Sequence, residues 1–255
     1  NRRWTIGFCD AMERRGLDVQ WQLPVGTRIE AIDREVLQRL WDTGCKNITF
    51  APESGSQRML DVMNKRVKLS RIEQSIRESY EIGLRTTVNV MIGHPAERWP
   101  DLWKSAKLLA RSAWIGCDDT AVMMFCPYPG SADFDALVSS GRHHLDEAAL
   151  YVGLSRGSAS HQSWNDHISA RQLRWLQLLF ISGFYSVSML RRPKRAWAFL
   201  RSQVTGAEDT YLQQMVRTKR KNLAPARARG RNRTEPSTQQ PPVEHRANGQ
   251  SSVAS

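Results

Sequence analysis

Four short segments of alternating apolar and polar residues recur along the first 135 residues, each followed by a polar or Gly/Pro-rich exit and a helical pattern. They are residues 18–26, 46–52, 85–92 and 120–125. Alternation is typical of strands, and helix-length connections between consecutive strands favour parallel pairing. The order of elements therefore predicts an α/β fold with a parallel sheet, as part of a (βα) barrel or as an open doubly wound sheet.

The second of these segments ends in a concentrated polar group. Pro52 cannot donate a ladder hydrogen bond, so the strand is expected to stop where Glu53 begins. The carboxyl ends of parallel strands meet at one edge, which is where ligands bind in such sheets. We therefore expect a binding site at this edge, the alternative being a polar turn in which Ser54 or Ser56 caps the next helix.

Capping residues and glycines predict where the helices begin and end. Asp33 is expected to cap a helix that Gly44 follows, and Ser70 to Glu73 form a capping-box pattern at the start of another. Ser169 is expected to cap a strongly apolar helix reaching about Leu190. Further helices are predicted over 197–204 and 210–216.

The positive charge lies mainly in the tail. Of the net charge of +12, residues 217–255 carry +7, from nine Lys or Arg against two Glu. Their Ala, Arg, Pro, Gln and Ser residues cannot bury a core, so this tail is expected to be disordered. Residues 175–190 are apolar but fall short of the roughly 20 residues needed to span a bilayer, which favours a buried or interfacial helix.

The four cysteines, at positions 9, 45, 117 and 126, match neither a zinc spacing nor a cluster-binding spacing. They are most simply reduced thiols in a cytoplasmic protein. The chain starts at Asn1, and residues 1–16 lack the continuous apolar region of a signal peptide. We therefore expect it to be a piece of a longer chain.

Several motifs taken together resemble those of the radical SAM superfamily. In order they are Gly26-Thr27-Arg28, Asp33 to Leu37, Thr43 to Ile48, Glu53-Ser54-Gly55-Ser56, Met63-Asn64-Lys65, Gly83, Met91 to Glu97, and Pro127 to Ser131. Their order and spacing are most similar to the branch that carries a cobalamin-binding domain ahead of the barrel, which includes methylases and the oxidative cyclase of bacteriochlorophyll synthesis. The resemblance covers about residues 1–135.

This resemblance implies a three-part organisation. Residues 1–135 would supply the third to sixth strands of a partial six-stranded barrel, residues 136–216 a helical extension, and residues 217–255 the basic tail. S-adenosylmethionine would lie across the strand ends, with a 4Fe-4S cluster and, in this branch, cobalamin as further cofactors. A reductant such as flavodoxin or ferredoxin and a small-molecule or lipid-like substrate would be the partners.

The resemblance also implies which residues touch S-adenosylmethionine. The implied cofactor-binding residues are Arg28, Glu53, Ser54, Gly55, Ile92, Gly93 and Pro95. Arg28 would meet the methionine carboxylate, Glu53 with Ser54 the ribose or methionine portion, and Ile92 with Gly93 the adenine. The structural alternatives are a surface salt bridge for Arg28, helix capping for Glu53 or Ser54, and plain core for Ile92.

One departure from the family pattern concerns the iron. The family holds its cluster with Cys-x-x-x-Cys-x-x-Cys, and this chain contains no such triad. Either the cluster-binding segment lies upstream or the chain is a degenerate, noncatalytic relative; we favour the first. The missing strands would leave the strand at 19–25 with an unpaired edge, so the chain alone is expected to be marginally stable or to associate.

The leading hypothesis is thus part of a radical SAM enzyme that forms a 5′-deoxyadenosyl radical for methylation or cyclisation at an unactivated carbon. Two rivals come from other features. The basic tail suits an RNA-modifying relative, although its lack of interleaved aromatic residues favours solvated disorder. The apolar helix followed by Arg191 to Arg195 suits a noncatalytic module at a membrane surface.

Overall fold

The fold is built on one parallel sheet of four neighbouring strands. The computed structural model describes residues 1–27, 29, 32–65, 67–141 and 163–205. The strands are β1 (Trp21–Thr27), β2 (Cys45–Glu53), β3 (Arg85–Ile92) and β4 (Asp119–Met124), paired in the order β1-β2-β3-β4. The predicted α/β fold and all four predicted strands are confirmed, with β4 ending one residue earlier than expected.

Eight helices lie within the described ranges. They are α1 (Arg2–Arg14), α2 (Arg34–Asp42), α3 (Gln57–Val62), α4 (Leu69–Ile82), α5 (Trp99–Ile115), α6 (Ala132–Ser139), α7 (Ala170–Arg191) and α8 (Pro193–Thr205). Along the sheet α1 packs on α2, α2 on α4, α4 on α5 and α5 on α7. Strands in sequence order with one continuous row of packed helices form the arrangement of a barrel segment, whereas a doubly wound sheet would reverse its order and place helices on both faces.

Two of the predicted helix starts are confirmed and one is wrong. The Asp33 carboxylate accepts a hydrogen bond from the Val36 amide at the start of α2, and the Ser169 hydroxyl accepts one from the Gln172 amide at the start of α7. The predicted capping box at Ser70 does not form, because α4 begins one residue earlier and Ser70 lies inside its first turn. The residue at the N-cap is Lys68, which makes no side-chain cap.

The main core lies between the sheet and the helix layer. Every second residue of β3 faces the helices and is completely buried, namely Val88, Val90 and Ile92. Their neighbours Thr87 and Asn89 are half-buried on the other face. Because successive strand residues point to opposite faces, the same alternation that predicted the strand also decides which side chains meet the helices. Each strand exit is thereby held at the same edge of the sheet.

The far edge of β4 is covered by α7. The Gln177 side-chain amide donates to the Val122 carbonyl oxygen at 2.6 Å, and the Tyr185 hydroxyl donates to the Asp119 carboxylate. Just beyond α7, the Arg192 guanidinium donates to the Cys117 carbonyl oxygen at 2.7 Å. Side chains therefore satisfy backbone acceptors where a further strand would otherwise pair.

The helix α7 is also long and apolar enough to span a membrane by length and composition, with a mean hydropathy of 1.2 over its best window, of which 33% is buried against the protein. The helix α7 is thus longer than the apolar run that the sequence predicted.

The helical character expected for the region after residue 135 holds for the part of 163–205 that the structure describes. The predicted helix at 210–216 and the tail at 217–255 lie outside the described residues.

The other edge of the sheet generates a prediction about association. Among the described residues β1 pairs with β2 alone, and Val25 on this edge strand is 79% exposed. We expect the chain to self-associate at high micromolar concentration and Val25→Lys to shift it toward monomer, because a charge on an open edge disfavours edge pairing. Sedimentation velocity measures this, with Val138→Lys on α6 as the control. A monomer over the whole concentration range would contradict the expectation.

Candidate cofactor-binding rim

At the carboxyl end of β2, Glu53 adopts a left-handed backbone conformation with φ of 70°. This conformation costs a non-glycine residue about 1–3 kcal/mol, so the surrounding structure must hold it in place. The Glu53 carboxylate, which is 19% exposed, accepts a charged hydrogen bond from the Lys65 ammonium at 3.1 Å. β2 therefore ends in a paired carboxylate that remains partly open to solvent.

The three residues after Glu53 dock this strand end on α5. The Ser105 hydroxyl accepts from the Gly55 amide at 2.9 Å and lies 3.3 Å from the Ser54 hydroxyl, and Ser54 in turn accepts from the Ser56 amide at 3.1 Å. All four residues are buried. The Ser54 hydroxyl therefore forms its hydrogen bonds inside the protein. Neither Ser54 nor Ser56 caps α3, which begins at Gln57 without a side-chain cap.

A buried carboxylate on α5 completes this connection. The Asp101 carboxylate accepts from the Ser56 hydroxyl at 2.6 Å, from the Arg98 amide at 3.1 Å and from the Arg58 guanidinium. Burial alone would raise the pKa of Asp101, but these hydrogen bonds and the Arg58 charge outweigh it and lower the pKa. Asp101 is thus held ionised at neutral pH.

The loop after β3 is closed by its own carboxylate. The Glu97 carboxylate accepts from the Gly93 amide at 2.6 Å, and Gly93 has a φ of +89°. A Cβ atom at Gly93 would lie 2.7 Å from a methyl carbon of Leu173 on α7, so only glycine satisfies both the backbone conformation and the close contact. Helix α7 therefore packs directly on this loop.

Asn165, which belongs to none of the predicted motifs, also holds this loop in place by hydrogen bonds. Its side-chain amide donates to the His94 and Glu97 carbonyl oxygens, both at 2.7 Å. The His94 imidazole lies 3.3 Å from the Asp133 carboxylate at the start of α6. Burial raises the pKa of Glu97 to about 7 and lowers the pKa of His94, so both side chains favour their neutral forms.

The structure places the predicted cofactor-binding residues in three different environments. Glu53 pairs in register with Val90, so the ends of β2 and β3 are adjacent. Glu53 and Pro95 are half-buried at the rim, whereas Ser54, Gly55, Ile92 and Gly93 are buried. The Ile92 side chain belongs to the hydrophobic core, as the alternative to an adenine contact predicted. Arg28 lies outside the described residues, and its predicted role stays a prediction.

The described residues do not fit an iron–sulfur cluster. Within them no group of three or more His, Cys, Asp or Glu is arranged to hold a metal ion. Cys9, Cys45 and Cys117 are buried, and burial raises the pKa of Cys45 to about 11 and that of Cys117 to about 12, which disfavours the thiolate that a cluster needs. These three cysteines therefore behave as apolar core residues, whereas Cys126 is half-buried.

Several residues that shape the rim were missed by sequence reasoning. Ser105 and Asp101 lie on α5, Lys65 twelve residues after Glu53, and Asn165 near the start of α7. Lys65 belonged to a recognised motif but had no assigned role. Ser105 and Asn165 carry no local signal, because their partners are 50 and 68–71 residues away in the chain.

Together the sequential parallel strands, the row of helices and the polar carboxyl edge define a barrel-type α/β domain with a polar rim where ligands bind in such folds. The family follows from a sequence comparison, in which residues 14–109 match the family model described as the radical SAM superfamily. The predicted resemblance to this superfamily is therefore confirmed over residues 14–109.

Individual relatives are more distant. The chain is 22% identical over 131 residues to an uncharacterised methyltransferase of Pyrococcus horikoshii, covering 51% of this chain and 28% of the relative. It is 28% identical over 140 residues to the anaerobic magnesium-protoporphyrin IX monomethyl ester cyclase of Cereibacter sphaeroides, covering 54% and 22%. The chain thus spans less than a third of the length of these relatives.

Among solved structures, the chain is similar to the radical S-adenosylmethionine methyltransferase TsrM from Kitasatospora setae, whose structure has cobalamin and a 4Fe-4S cluster bound. The sequences are 14% identical, the alignment covers 55% of this chain and 27% of that one, and the TM-score is 0.44.

The contact of Gly55 with α5 gives a stability prediction. A Cβ atom at Gly55 would lie 2.3 Å from the Lys104 carbonyl oxygen, which is backbone and cannot rotate away. Gly55→Ala is expected to lower the free energy of unfolding by about 1–3 kcal/mol through overpacking. Gly7→Ala is the control, since Gly7 lies inside α1 with nothing within 4 Å, and it should raise stability. Chemical denaturation that leaves Gly55→Ala as stable as the parent would contradict the close contact.

The buried Glu97 carboxyl gives a pH prediction. Its pKa of about 7 in the folded chain exceeds the ordinary 4.5, so the folded state binds more protons between these values and its stability falls as pH rises through them. Glu97→Gln should remove this loss. The unfolding free energy of the variant, relative to that of the parent, should therefore rise by about 2 kcal/mol between pH 5 and pH 8. His94 contributes in the opposite direction in both proteins. Thermal unfolding measures the difference, with Glu81→Gln as the control, and parallel pH profiles for Glu97→Gln and the parent would refute it.

Proposed function

We propose that this chain is the part of a radical SAM enzyme that binds S-adenosylmethionine at the rim formed by the ends of β2 and β3. The observation that carries the proposal is the superfamily match over residues 14–109, which includes both strand ends. The rim offers a partly exposed carboxylate beside a tight loop of backbone, which suits a ligand with vicinal hydroxyls and a planar base.

Glu53 has the central role in this proposal. Its carboxylate would accept hydrogen bonds from the two ribose hydroxyls, and the hydrogen bond from Lys65 would fix its direction. Ser54 and Gly55 would act by holding Glu53 in place through α5, because their own polar groups already bond to one another and to Ser105. Arg28 is proposed to bind the methionine carboxylate.

The loop after β3 would support the adenine. Gly93 and Pro95 would lie beside the base, with Ile92 supporting the loop from the core. The Glu97 and Asn165 hydrogen bonds would keep this loop closed whether or not the ligand is present. The loop is therefore proposed to act as a preformed wall.

For the complete enzyme we propose reductive cleavage of S-adenosylmethionine to a 5′-deoxyadenosyl radical, used for methylation or cyclisation at an unactivated carbon. The names of the methyltransferase and cyclase relatives support these two reactions. The 4Fe-4S cluster would be held by residues outside this chain. Cobalamin, a flavodoxin or ferredoxin reductant, a small-molecule or lipid-like substrate and a cytoplasmic location belong to the same proposal.

Cofactor binding can be tested on the chain itself. Equilibrium dialysis with radiolabelled S-adenosylmethionine should detect binding, and Glu53→Ala should weaken it by about tenfold or more, because a charge-assisted hydrogen bond to each ribose hydroxyl is lost. Glu81→Ala, on α4 at the opposite end of the sheet, should bind like the parent. Equal affinity of Glu53→Ala and Glu81→Ala would remove Glu53 from the site.

The reaction is tested separately on the product of the complete gene, purified without oxygen and reconstituted with iron and sulfide. Release of 5′-deoxyadenosine on addition of S-adenosylmethionine and a reductant is the expected result. A complete product that lacks a Cys-x-x-x-Cys-x-x-Cys segment and releases none would leave a noncatalytic relative as the explanation.

A further inference from the structure

The outer surface of α5 and α7 exposes large apolar side chains. Trp103 is 73% exposed, Trp175 66%, Leu179 62% and Leu190 79%. Large aromatic and aliphatic side chains grouped on one surface mark an interaction site, since isolated ones are common but clusters are not. We call this surface the α5–α7 face.

Two of these residues, Trp103 and Leu179, line an apolar groove between the two helices. Its volume is about 360 Å³, and its walls include Trp99, Trp103 and Leu179. Ala106 and Gly183 lie along it where larger side chains would fill it. The wall and floor positions on α5, residues 99, 103, 106 and 110, follow the spacing of one helix face, so the groove runs along the helices.

The exposed charges of α5 and α7 are all positive. The exposed cations of the two helices are Lys104, Lys107, Arg111, Arg171, Arg174 and Arg191. In the sequences of α5 and α7 the only acidic residue is Asp101, and its carboxylate is buried against Ser56. At the margin Glu73 of α4 meets Arg111 at 3.1 Å. The face therefore combines an apolar centre with cationic borders.

Aromatic residues and cations meet at the far end of the groove. The Arg191 guanidinium lies 5.6 Å from the centre of the Trp114 ring, and Trp114 is 56% exposed. Tryptophan beside arginine is typical of the boundary between hydrocarbon and lipid headgroups, where the ring is half in each medium. On α7 itself, Trp175, Leu179 and Leu190 are exposed on the outer surface.

From these observations we infer that the α5–α7 face lies on an anionic lipid bilayer, with its tryptophans and leucines at the headgroup boundary and its lysines and arginines on the lipid phosphates. A second copy of the chain fits less well, because the cations at the borders of two such faces would repel each other. Nucleic acid also fits less well, because Leu179, Leu190 and the apolar lining of the groove offer its bases and sugars no hydrogen bonds. The inference does not depend on cofactor binding.

Flotation of the full 255-residue chain tests the proposal. Vesicles of phosphatidylcholine alone are compared with vesicles that also contain phosphatidylglycerol, some with brominated acyl chains. The chain should float with the anionic vesicles, and the bromine should quench its tryptophan fluorescence. The quenching reports on the folded part alone, because residues 206–255 contain no tryptophan while the tail charge could bind vesicles by itself.

Two double variants locate the contact. Lys107→Gln with Arg191→Gln should weaken binding to anionic vesicles by about 30-fold, as expected for two cations near the surface. Trp103→Ser with Leu179→Ser should reduce the quenching, since Trp175 and Trp114 remain, and weaken binding at least tenfold. The matched controls are Arg3→Gln with Arg77→Gln and Trp4→Ser with Leu17→Ser, which change equally exposed residues elsewhere and should bind like the parent.

Binding of nucleic acid or of a second copy of the chain to the α5–α7 face would give different results. The proposal is overturned if the chain does not float with anionic vesicles, or if it floats but both face variants float equally well without a change in quenching. It is also overturned if the face variants abolish binding to single-stranded RNA or break a dimer seen by sedimentation velocity while leaving vesicle binding unchanged. Circular dichroism of every variant checks that the fold is retained.

Discussion

The buried carboxylate of Asp101 holds the rim together. It accepts hydrogen bonds from the Ser56 hydroxyl, from the Arg98 amide and from the Arg58 guanidinium, so it connects the exit of β2, the start of α5 and the start of α3. A buried charge left without its partners costs several kcal/mol, so these three segments are constrained together. The left-handed conformation of Glu53, one turn of chain away, is stable only within such a constraint.

Much of the fold could be predicted because it depends on local periodicity and capping. The segment 85–92 was predicted with the limits that β3 has, and Asp33 and Ser169 cap their helices through contacts three residues away. The capping pattern at Ser70 failed because it occurs just inside a helix that begins one residue earlier. A four-residue pattern cannot decide between two adjacent starting points when packing of the helix determines the choice.

The candidate site was less predictable because its polar groups have distant partners. Sequence reasoning placed Ser54 and Gly55 at the correct strand end but could not show that Ser105, some 50 residues later, already binds them. A serine at a strand exit is equally suited to a ligand and to a helix partner, so only the three-dimensional contact distinguishes the two uses. Glu53 differs from its neighbours because its left-handed backbone turns its carboxylate toward Lys65 at the partly open edge.

The contact of Leu173 with Gly93 bears on where this domain ends. The family match stops at residue 109, within α5, yet β3 pairs with β4 beyond that point, and α7 contacts both the β3 loop and the outer edge of β4. A protein cut at that boundary would expose a strand edge and uncover the glycine loop. The smallest unit that keeps the rim intact therefore includes α7, so this helix belongs to the domain in the physical sense even though the family match ends before it.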